Sequence, residues 1–76
     1  MIPVDLSKSD FIHKLAGAKR GQWIMYHLGY LYEDRTKNRK LNALAHAVYD
    51  EGQLGKCALV QRRLGPGRYE YYAVKL

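Results

Sequence analysis

A single cysteine, Cys57, in a chain of 76 residues constrains the fold more than any other feature. No internal disulfide is open to it, and a domain of this length buries only ~60% of the surface that its unfolded chain exposes. Small domains often compensate with cross-links or a bound metal. Here one apolar core has to hold every element, so residues 1–76 are expected to form a single domain. A lone thiol fits a reducing cytoplasm better than an oxidising compartment. No apolar run approaches the ~18 residues of a membrane span, and Met1 to Ser7 lacks the basic start and long apolar stretch of a signal peptide. The expected setting is the cytoplasm, with no membrane association.

The elements follow from periodicity. A helix is expected over about residues 8–16, with Ser7 as N-cap, Asp10 closing a capping box, and Leu6 and Phe11 at the positions of a hydrophobic staple. Phe11, Ile12 and Leu15 then share a core face, and Gly17 stops the helix. Residues 22–28, Gln-Trp-Ile-Met-Tyr-His-Leu, are continuously apolar and aromatic and fit a short buried strand. Trp23, Tyr26, Tyr30 and Leu31 also recur at helical spacing, so the alternative of a helix over 22–31 stays open. Glu33 to Asn38 is a charged loop. Leu41, Leu44, Ala45 and Val48 form an apolar stripe at i, i+3, i+4 and i+7, which predicts a helix over about 39–51 ended by Gly52 and Gly55. A hairpin over about 57–75 closes the chain, its strands at 57–63 and 68–75 joined by Gly65-Pro66-Gly67.

The order helix, strand, helix, strand, turn, strand defines a small α+β domain. The helix over 39–51, the two strands that follow it and their basic, glycine-rich tip resemble the winged-helix branch of the helix-turn-helix proteins. Such domains usually place a separate helix just before the recognition helix, and Tyr30 to Arg35 is short for one. Tyr26-His27-Leu28-Gly29 through Leu64-Gly65-Pro66-Gly67-Arg68-Tyr69 is also similar to small uncharacterised proteins of bacteriophages and prophages. That similarity implies a mobile-element origin, with the host-cell cytoplasm as the setting if the protein is phage-encoded, and supplies no function.

Catalytic and metal chemistry find little support. His13, His27, His46 and Cys57 lie on different elements, and no pair has a metal-ligand spacing. Cys57 opens an apolar strand and reads as a packed thiol without a base beside it. The carboxylates show no catalytic pattern, and Glu33-Asp34 beside Arg35 reads as a solvated loop. Gly65-Pro66-Gly67 lacks the Lys-Ser/Thr and the helix of a phosphate-binding loop. No catalytic residue, metal ligand or cofactor is therefore expected.

Charge is the informative signal. The net charge is +6. Residues 1–38 carry +2 of it and residues 39–76 carry +4. Arg35, Lys37, Arg39 and Lys40 gather at the start of the second long helix, while Asp50 and Glu51 sit at its end. Both placements oppose the helix dipole, at about 0.3–1 kcal/mol each where exposed. A phosphate at that helix start would resolve the conflict. Arg39, Ala43, His46 and Asp50 lie opposite the apolar stripe, with Asn42 on their flank. Arg and Asn side chains can read base edges in a major groove. By resemblance, Arg63 and Arg68 at the hairpin tip would make the wing contact.

The first expectation is a non-enzymatic nucleic-acid-binding protein, with duplex DNA favoured and Arg35, Lys37, Arg39, Lys40, Asn42, His46, Arg63 and Arg68 in contact. An alternative is an anti-CRISPR-like phage inhibitor of a host defence complex that acts by binding a protein or a nucleoprotein. A further one is an assembly protein whose tyrosines, seven in all, build a homodimer. Against all three stand bland readings: a charged first turn can be solvated, tip arginines guard sheet edges, and most tyrosines are core or edge packing.

Overall fold

The computed structural model describes residues 6–76; Met1 to Asp5, where the absence of a signal sequence was expected, lie outside the described residues. Among the described residues six elements follow one another: α1 (Lys8–Gly17), β1 (Trp23–Gly29), α2 (Leu31–Asp34), α3 (Arg39–Gln53), β2 (Cys57–Gly65) and β3 (Arg68–Lys75). The fold class is α+β, three helices with a three-stranded antiparallel sheet ordered β1-β3-β2. The helical turn α2 takes in Glu33 and Asp34, the first two residues of the segment expected as a charged loop, and Arg35 to Lys37 follow as turn.

The start of α1 is fixed locally. Asp10 N–H donates to Ser7 Oγ (3.1 Å), and Ser7 N–H donates back to Asp10 Oδ2 (3.3 Å), which closes the capping box. These bonds to Ser7 hold the Asp10 carboxyl below its usual range, and Lys40 and Lys14 add to the effect. Gly17 stays inside the helix, and the chain leaves through an extended Ala18. Phe11 and Leu15 are buried, but Ile12 is 39% exposed: it lies off the stripe that meets the sheet.

The far end of α3 is a Schellman motif. Gly55 takes φ +76° and its N–H donates to Gly52 O, while Lys56 N–H donates to Glu51 O, both at 3.0 Å. Leu41, Leu44, Ala45, Ala47 and Val48 are buried along α3. Leu41, Leu44 and Val48 join Phe11 and Leu15 in one core with a face of the sheet made of Ile24 and Tyr26 from β1, Tyr71 and Ala73 from β3, and Cys57 from β2. Burial pushes the Tyr26 hydroxyl up to about 12 and raises the Cys57 thiol as well.

Pairing irregularities set the aim of several side chains. In β1 the register shifts between Met25 and His27, so that Met25 faces Tyr72 while His27 faces Tyr71. This bulge puts both Tyr26 and His27 on the helix side. In the hairpin the shift falls between Arg63 and Gly65, ahead of a Pro66-Gly67 turn whose second corner needs the φ of +66° that Gly67 supplies.

The second face of the sheet is unexpectedly apolar. Cross-strand rows Trp23–Val74–Ala58 and Met25–Tyr72–Val60 lie on it, followed by Leu28–Glu70–Arg62. The three helices sit on the Tyr71 side, so among the described elements none of the helices covers these rows. Trp23 is 55% exposed and packs edge-on against Tyr72 at 5.1 Å. The strand expected to be buried is therefore buried on one face only.

Candidate functional site

The basic cluster is assembled by a chain of local bonds that begins in the bulge of β1. His27 Nε2 lies 2.8 Å from Asp34 Oδ2, and the same oxygen accepts from Tyr30 N–H at 3.0 Å. Asp34 is thus a structural link between β1 and α2, not the solvated loop residue expected. Leu31 N–H donates to Tyr71 Oη (3.0 Å), which pins α2 to the sheet. A side chain at Gly29 (φ +138°) would come within 2.7 Å of Asp34 Oδ2, so glycine leaves the room this link needs.

From α2 the chain turns through Arg35, Thr36 and Lys37. Lys37 N–H donates to Asp34 O (3.1 Å), and the Thr36 hydroxyl donates to Glu33 O (2.7 Å). Asn38 then caps α3, its Oδ1 accepting from Leu41 N–H at 3.1 Å. Arg35 reaches across the turn and donates from Nε to Asn42 Oδ1 at 2.9 Å. The result is a cleft lined by Arg35, Thr36, Lys37, Asn38, Arg39 and Asn42, three cations and three neutral polar groups with no carboxylate among them.

The expected site residues divide into groups. Arg39, Ala43, His46 and Asp50 are all exposed along the outer line of α3. Asn42 is half-buried, and its carbonyl oxygen is committed to Arg35. Lys37 makes an exposed pair with Glu33 at 3.4 Å, which is worth little. Lys40 is a full 100° around the helix from Arg39, on the side of α1, where it acts on Asp10. Among the described residues, no carboxylate forms an ion pair with Arg35, Arg39, Arg63 or Arg68.

The hairpin cations separate by strand alternation. Arg63 stands opposite Tyr69 and shares its face, the helix side. Arg62 is held by Glu70, with Nε and Nη2 at 2.7 and 2.6 Å from Oε1. Arg68 precedes Tyr69 in β3 and so starts on the other face, at the tip.

A neighbouring groove escaped the sequence reading. Tyr30, Leu31, Tyr32, Arg35, Gln61 and Tyr69 line it together with Tyr71, so Arg35 borders both this groove and the basic cleft. Its sign in the sequence is the helical spacing that Tyr30 and Leu31 share with Trp23 and Tyr26, which equally fits a helix over 22–31. Among the described residues no three His, Cys, Asp or Glu side chains converge as metal ligands. No helix among them is long and apolar enough to cross a membrane. No protein family, curated protein or solved structure matches the chain.

Proposed function

We propose that this is a winged-helix-like nucleic-acid-binding protein of phage type, without catalytic activity, that holds duplex DNA between the start of α3 and the hairpin. The observation that carries the reading is the cleft of Arg35, Lys37 and Arg39, with Asn38, Thr36 and Asn42 between them and no carboxylate in its lining. Phosphate oxygens suit such a surface: guanidinium groups bind them in pairs, and the helix start adds backbone N–H and a positive dipole end. Arg39 and His46 then face the groove, and Arg63 extends the contact from the helix side of the hairpin, with Arg68 at its tip. The order α1-β1-α2-α3-β2-β3 and the C-terminal hairpin support the winged-helix comparison. The short α2 occupies the place where such domains carry a helix ahead of the recognition helix.

Binding to a duplex should fall steeply with salt, with a log–log slope of roughly −5 for about six phosphate contacts. Arg39→Ala with Arg63→Ala should weaken binding and flatten that slope by about 2, whereas Arg62→Ala, whose cation is already paired, should leave it nearly unchanged. Fluorescence anisotropy at graded salt measures this. No binding to duplex or single strand at low salt would remove the proposal.

The uncovered sheet face favours a second reading, a homodimer through the rows around Trp23 and Tyr72. That face is apolar around Trp23 and Tyr72, and its Arg62–Glu70 ion pair is closed within the chain, so a second copy of the same apolar surface suits it. Large exposed apolar patches mark such contacts. Sedimentation over a concentration series should show a dimer that Val60→Lys abolishes; a monomer throughout would end this reading.

A further inference from the structure

We propose that the tyrosine groove beside the basic cleft seats one unpaired nucleobase, at a place where a duplex gives way to a single strand. This rests on the nucleic-acid reading above and adds a ligand class to it. Three rings form a column across the groove. Tyr69 and Tyr30 are stacked at 6.0 Å with 29° between their planes, and Tyr30 and Tyr32 follow at 6.0 Å and 42°. The column ends on Tyr32, which is 77% exposed and so presents a bare aromatic face. Water is a poor neighbour for such a face, and a base is a good one: stacking tolerates any base because each has a π-face.

The polar groups of the groove match the rest of a nucleotide. Arg35 borders both the groove and the basic cleft. Its Nε is fixed to Asn42, which aims the guanidinium. A base on Tyr32 would therefore have its own phosphate within the reach of a cation that also serves the neighbouring phosphate. Gln61 offers an amide to a base edge, and Arg63 follows two residues on along the same face of β2. No carboxylate lines the groove. Its wall α2 is about 6 Å long, the length of a nucleotide and too short for a duplex to be gripped there.

The test compares a blunt DNA duplex with the same duplex carrying a short single-stranded overhang, titrated against the wild type, Tyr32→Ala, Tyr32→Phe and Tyr49→Ala. Tyr32 is exposed, so its replacement spares the core. The overhang should tighten wild-type binding by roughly 5- to 100-fold. Tyr32→Ala should lose that gain, Tyr32→Phe should keep it, and Tyr49→Ala, an exposed tyrosine outside the groove, should leave it intact. An overhang of ribonucleotides shows whether the site takes RNA as well as DNA, and a Tyr32-dependent gain with either upholds the site. Salt-sensitive binding of the blunt duplex with no gain from an overhang, or a gain indifferent to Tyr32→Ala, would overturn the base site alone. Failure of every oligonucleotide to bind would take both readings down.

Discussion

Tyr26 shows how one buried side chain couples this fold to pH. Its hydroxyl, raised from the ordinary 10.0 to about 12, is disfavoured as an anion first by burial and then by Tyr71 and Cys57. The folded state thus prefers the neutral phenol. The associated stability is complete below the unfolded value near pH 10 and is lost as pH rises through about 12. Denaturant midpoints should be level up to pH 9 and fall between pH 10 and 12. Absorbance titration should show a phenol step for Tyr26 displaced from the ordinary 10.0 to about 12. Cys57 belongs to the same argument: only 3% exposed, with its thiol raised mainly by burial, it should resist alkylation at pH 8 in the native protein and react at once in denaturant.

At the scale of elements, α1 and α3 obey different rules. In α1, Asp10 occupies the first turn and Lys14 the last, as the dipole favours. In α3 the first turn has no acid and the last no base. The contrast within one chain gives the basic start of α3 a meaning that charge counting alone does not. Caps hold this helix instead. Asn38→Ala removes the bond to Leu41 N–H and should cost about 1 kcal/mol. Gly55→Ala puts a Cβ into φ +76° with nothing near it, so the backbone alone sets a penalty of about 1–2 kcal/mol. Both losses should appear in urea melts, but Asn38→Ala should also weaken duplex binding because it loosens the cleft, while Gly55→Ala should not.

For the whole molecule, the balance between a covered and an uncovered sheet face is decisive. One core, closed by Phe11, Leu15, Leu44 and Val48, carries the fold without disulfide help. A chain of this size has a stability of about 4–11 kcal/mol at ordinary values per residue. Leu44→Ala, at 1% exposure, should remove about 2–5 kcal/mol of it and leave the protein near the edge of unfolding at 37 °C, as a thermal melt would show. Trp23, across the sheet from that core, should behave oppositely. Trp23→Thr should barely change the melt of the monomer, because the ring is already more than half in water.

What could be read from the chain directly was local: the Ser7–Asp10 capping box, the stripe of α3 and the glycine-rich hairpin, each set by contacts within a few residues. Strand alternation even separates Arg62 from Arg63 in advance. What tertiary structure decided was everything that depends on pairing across the chain. Periodicity cannot say which face of β1 meets the helices, since Trp23 and Ile24 are equally apolar; the partners Val74 and Ala73 settle it. Nor can it foresee that Asp34, 7 residues from His27, would become its partner and stabilise a turn of helix in a charged segment. A one-turn helix has too few internal bonds to announce itself. It exists because His27, Tyr71 and the bulge of β1 supply the bonds that its own sequence lacks.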